Sequence, residues 1–97
     1  MIEAALLIPK GGRGMAVRPY EPLADVAQEY CFLAQACIAA GAYAKAIEFA
    51  EAGLELVPAD AALIGTRGDA KSGLHDDEGA DADWLLALEL RLRDLTA

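Results

Sequence analysis

Few side chains in this chain are candidates for a catalytic or metal site by their type and spacing together. They are Cys31, Cys37 and His75, together with the acidic run "HDDEGADAD" (75–83). A thiol nucleophile needs a general base within hydrogen-bonding reach. Cys31 and Cys37 belong to an apolar, helix-forming segment, whereas His75 falls in a separate stretch rich in Gly and Asp. No catalytic pair is expected. Two cysteines and one histidine also make no zinc set of usual spacing. Six positions along one helix separate the two thiols by about 9 Å, beyond disulfide reach. The expected state is two buried free thiols in a reducing cytosol. The acidic run has carboxylates for a divalent cation but no glycine where an EF-hand loop needs one. Loop solubility and helix capping account for these acids. A carrier-protein role lacks its Asp-Ser-Leu motif, since Ser72 stands in "KSGL". The residues therefore predict no enzyme, no cofactor and no metal.

The elements that carry these residues are helical. The chain has 97 residues, 56% of them hydrophobic, with Ala and Leu prominent. Such a composition favours an all-α domain. Residues 1–20 form an N-terminal arm broken by "KGGRG" (10–14), and residues 21–97 form the helical domain. Pro22 suits the first turn of a helix. From there to Ala40, Leu23, Val26, Tyr30, Leu33 and Cys37 recur at helical spacing and define the expected main face. A second stripe runs through Ala27, Cys31, Ala34 and Ile38, with Phe32 on a third side among Gln28, Glu29 and Gln35. Gly41 ends this helix. The next runs from Tyr43 to Val57, with Tyr43, Ala46, Ile47, Ala50, Leu54 and Val57 inward and Glu48, Glu51 and Glu55 in solvent. Pro58 stops it. The short join demands an antiparallel hairpin. Asp60 is a suitable N-cap for a third helix over 61–73. Residues 73–80 read as a loop. A fourth helix follows from Ala82 to Thr96, with Asp81 or Asp83 as its cap and Trp84, Leu85, Leu88, Leu92 and Leu95 on one face.

Residues 27–60 resemble one tetratricopeptide repeat, a unit of about 34 residues with a W-x2-L-G-x2-Y…A-x3-F…P pattern. Tyr30 stands at the Trp place and Leu33 at the Leu place. Ala34 takes the small place and Cys37 the Tyr place. Gly41 and Tyr43 fall in the turn, and Ala46, beside Ile47, at the first alanine. Ala50 replaces the usual Phe, Gly53 takes a second small place, and Pro58 closes the repeat. A second repeat from residue 61 is degenerate, with Ile64 at the Trp place and Gly68 at the small one. The resemblance implies antiparallel helical hairpins, about two repeats and four main helices. It also implies a concave groove lined by Gln28, Cys31, Gln35, Ile38 and Ala39, continued by Ala62, Gly65, Thr66 and Asp69, with Phe32 beside it. Some family members clamp a terminal carboxylate with Lys and Asn in such places. This chain contains no Asn, so an apolar or amphipathic segment is the expected ligand. An unrelated four-helix bundle is the competing fold.

Net charge is −8. Lys10, Arg13 and Arg18 against Glu3 give residues 1–20 a charge of +2, leaving −10 on the rest. An acidic body disfavours nucleic acid. The basic arm either solubilises the chain or meets an acidic surface. "MIEAALLIPK" lacks the features of a secretory signal, and no stretch is apolar enough to span a membrane. A cytoplasmic protein is expected. Roughly two repeats are fewer than stacked hairpins usually need. Phe32, Phe49, Leu56, Leu86 and Leu90 lie off the main stripes, buried either within the monomer or by a partner. The expected function is non-enzymatic: an interaction module, adaptor or chaperone holding another polypeptide, or a self-assembling scaffold. Small size, acidity and repeat content are similar to those of the small repeat-built chaperones of bacterial type III secretion.

Overall fold

Four helices follow one another in a computed structural model that describes residues 23–96: α1 (Leu23–Ala39), α2 (Tyr43–Leu56), α3 (Ala61–Gly73) and α4 (Asp77–Thr96). The fold of these residues is all-α. The expectations for the arm (1–20) and for Pro22 lie outside the described residues. α1 packs on α2 and α3 on α4 as antiparallel hairpins, and α3 also lies against both α2 and α1. α4 touches α3 alone among the described helices. The result is a stack with α1 at one end and α4 at the other.

Local sequence accounts for most of the boundaries. α1 ends where Gly41 takes a left-handed φ of 79°. There the Ala42 N–H donates to the Cys37 carbonyl at 2.8 Å. α2 ends just before Pro58, which has no N–H to continue the ladder. At the start of α3 the Leu63 N–H donates to Asp60 Oδ1 at 3.1 Å. This satisfies one of the unpaired donors of the first turn.

The second turn differs from its expected form. Residues 73–80 are not a loop, because α4 already begins at Asp77. Its cap is neither Asp81 nor Asp83. The Gly79 N–H donates to Asp76 Oδ1 at 3.0 Å, and Asp77 and Glu78 lie in the first turn, favourable at the positive end of the helix dipole. His75 takes φ 65° where the first hairpin has Gly41. The Asp76 N–H donates to the Lys71 carbonyl at 2.9 Å. Each feature sits 34 positions after its counterpart: the end of the first helix (Ala39, Gly73), the left-handed residue (Gly41, His75) and the start of the second helix (Tyr43, Asp77). The chain is thus two turns of one period, and the second hairpin is as regular as the first.

The interior follows the same period. Ala34 and Gly68, Ala46 and Ala80, and Gly53 and Ala87 are all buried. Small residues at these places let the helix axes approach closely. At Gly53 a Cβ would lie 2.7 Å from a methyl of Leu63 and 3.1 Å from Tyr30 Cβ. The inward face of α1 is therefore Ala27, Cys31 and Ala34. The expected main face is not the buried one: Leu23 and Leu33 are exposed, while Val26, Tyr30 and Cys37 are half-buried. α4 corrects its expectation in the same way, burying Ala80, Asp83 and Ala87 and leaving Trp84, Leu85, Leu88, Leu92 and Leu95 exposed. Close approach selects for size, and the alanine stripe wins over the leucine stripe.

Candidate functional site

The expected groove positions do not form one open channel. Cys31 and Thr66 are buried, 6% and 5% exposed. Their Sγ and Oγ1 face each other at 3.6 Å across the seam of α1 and α3. Neither is available to a partner, which corrects their assignment to the groove. Gln35 Nε2 donates to Cys31 Sγ at 3.6 Å and roofs the seam. Ile38 is half-buried against the core. Gln28, Phe32, Gln35, Ala39 and Asp69 remain exposed. Asp69 is engaged within the second hairpin, accepting from Trp84 Nε1 at 2.9 Å. Phe32 lies between Gln28 and Gln35 on one helical face.

The residues with structural assignments hold the hairpins together. Ala46 is fully buried. Tyr30 lies 6.4 Å, ring to ring, from Phe49. Tyr43 lies over Gly73, and Ile47 packs at the edge of the core. Gly41 makes the turn and Pro58 follows the end of α2. Leu33, Gly41 and Pro58 are the exposed members of this set.

A charged cluster in the second hairpin is absent from the sequence expectations. Asp83, 5% exposed, accepts from Arg67 Nε at 3.0 Å and Nη2 at 2.9 Å. Lys71 Nζ lies 3.1 Å from Asp83 Oδ2, the oxygen that also accepts from Arg67 Nε. Glu51 of α2 reaches Arg67 at 3.8 Å and links the cluster to the first hairpin. Burial alone would push the Asp83 carboxyl up. The hydrogen bonds from Arg67 and Lys71 outweigh this together and hold it below the usual carboxylate range. Asp83 in turn raises the Arg67 guanidinium above its already high value, against the opposing effect of burial. One period earlier the same places hold Leu33, Cys37 and Phe49. An apolar trio in one hairpin is an ion cluster in the other. The sequence signal is the run Ala80, Asp83, Ala87 at spacings of three and four, which puts Asp83 on the small, inward face.

The cluster ties α3 to α4 and, through Glu51, to α2, with each of its cations paired to a carboxylate. Among the described residues no group of three or more His, Cys, Asp or Glu is arranged to hold a metal ion. Cys31 and Cys37 are free thiols. No helix among the described residues is long and apolar enough to cross a membrane.

What the surface does carry is large apolar side chains. Among the described residues, seven of the ten buried apolar ones are alanine: Ala27, Ala34, Ala46, Ala50, Ala70, Ala80 and Ala87. By contrast Leu85 is 60%, Leu88 52%, Leu92 51% and Leu95 82% exposed, on the side of α4 turned away from α3. An open, shallow depression adjoins them beside Glu89, Leu92, Arg93 and Thr96. At the other end of the stack Phe32 is 53% and Leu33 46% exposed on α1. No family model, no curated protein and no solved structure matches the chain.

Proposed function

We propose that this chain is a non-enzymatic protein-interaction module: two hairpins of the tetratricopeptide type whose outer apolar faces are covered by another polypeptide. One observation carries the reading. The chain buries alanines and displays leucines. Each half-exposed leucine forgoes about 1 kcal/mol of burial, a large loss for a domain of this size. Contiguous exposed apolar surface of this kind is characteristic of interaction sites. The 34-residue period supports the repeat type, and stacked units of that kind rely on neighbours to cover their ends. Phe32, framed by Gln28 and Gln35, supplies a second apolar contact with amide edges.

The partner is an apolar or amphipathic polypeptide segment. A chaperone for an aggregation-prone export substrate, as in type III secretion, is a narrower form of this reading and rests on small size, a charge of −8 and repeat content. The test is the stability of Leu88→Glu in dilute solution. An open face predicts urea unfolding within about 0.5 kcal/mol of the wild type. A loss of about 2 kcal/mol or more would mean that Leu88 is covered from within its own chain, and the module reading would fail.

A further inference from the structure

The two ends of the stack match each other through the internal joint. α3 seats on α2 with Arg67 reaching Glu51 at 3.8 Å. Moving one period forward from Glu51 gives Leu85 on the open face of α4. Moving one period back from Arg67 gives Leu33 on the open face of α1. The only cross-joint ion pair among the described residues therefore becomes a pair of exposed leucines, one at each free end. Both partners of the pair have changed, and they have changed to the same chemistry.

We infer that a second copy of this chain occupies the open face of α4, seating its α1 there as α3 seats on α2. In that joint Leu33 of one copy meets Leu85 and Leu88 of the next. α2 and α3 are antiparallel across a short turn, so the N-terminal half of the incoming α1 runs beside the C-terminal half of α4. The described part of α1 carries Asp25 and Glu29 and no Lys or Arg, while the C-terminal half of α4 balances Arg91 and Arg93 against Glu89 and Asp94. A net-neutral α4 end does not repel the acidic start of α1 in that direction, and the leucines at positions 33 and 85 carry the match. The joint is heterologous, with a different surface on each side. It propagates from copy to copy unless the rotation happens to close a ring.

This inference rests on the module reading and deepens it by naming the partner. The test uses the full chain, with Leu85→Glu and Leu33→Arg, measured by light scattering over a concentration series. The wild type should exceed the monomer mass and grow with concentration. Each variant alone should associate about 10-fold or more weakly, since a single charge is buried unpaired. An equimolar mixture should regain assembly. There the carboxylate introduced at position 85 of one variant meets the guanidinium introduced at position 33 of the other, which recreates the Glu51–Arg67 pair. The other joint in the mixture remains leucine on leucine. A wild type at monomer mass would overturn the inference. So would a Leu85→Glu variant that assembles normally, a Leu33→Arg variant that is unaffected (the mark of an α4-to-α4 contact), or a mixture that stays monomeric. Urea unfolding of both variants at high dilution separates the two levels. If the wild type is monomeric and both variants are as stable as it, self-stacking fails and the faces remain open for a different protein. If either variant unfolds more easily, the module reading fails with it.

Discussion

Replacing Asp83 with Asn keeps the shape of the side chain and removes its charge. In the native protein the carboxylate side chain is 6% exposed, against 22% for Arg67 and 24% for Lys71. Breaking a fully buried ion pair costs about 3–5 kcal/mol. Here both cations keep access to water, and Arg67 keeps Glu51 at 3.8 Å. The penalty at pH 7 is therefore smaller, about 2–3 kcal/mol. For a domain of this size that lowers Tm by about 10–20 °C. The pH dependence is signed. The folded Asp83 carboxyl is held below its ordinary value. Its contribution is complete above the unfolded pKa of about 3.9 and is lost as pH falls through the lower folded pKa. Urea titrations of wild type and Asp83→Asn at pH 7 and near pH 2 check this. The gap should be wide at pH 7 and should narrow sharply in acid. A gap below about 0.5 kcal/mol at pH 7, or one of equal size at both pH values, would refute the reasoning.

Two backbone substitutions probe the packing and the turn. Gly53→Ala places a methyl 2.7 Å from Leu63. Overpacking should cost about 1–3 kcal/mol, exceeding the roughly 1 kcal/mol that alanine returns through helix propensity, so equilibrium unfolding should show a net loss. Gly41→Ala meets nothing within 4 Å, and its cost is the left-handed φ alone, about 1–2 kcal/mol. His75→Gly at the equivalent turn should be neutral or slightly stabilising by the same denaturation assay, because it removes that strain.

Much of the fold is legible in the sequence where local chemistry is explicit. Gly41, Pro58 and Asp60 mark the bounds of α1, α2 and α3 to within a residue or so. α4 is different. His75 takes the place of a glycine, and "HDDEGADAD" has the composition of a loop, so the second turn hides its likeness to the first. Starting α4 five residues late moves Asp83 from an inward face to a cap and conceals the Arg67–Asp83–Lys71 cluster. The candidate surface is obscured for another reason. Ranking faces by hydrophobicity turns Leu33 and Trp84 inward, whereas close helix approach buries Ala34 and Ala87. Register alone puts Cys31 and Thr66 in a groove, because it cannot show that α1 and α3 meet there.

Self-stacking requires that leucines on α1 and α4 be open in the single chain and covered on assembly. Hydroxyl-radical footprinting of side chains, read by mass spectrometry from high dilution to high concentration, measures this directly. Leu85, Leu88 and Leu92 should react readily at high dilution while Leu63 is protected. Leu33 and Leu85 should then lose reactivity together as concentration rises. Protection of Leu85 and Leu88 at the highest dilution, at the level of Leu63, would contradict it.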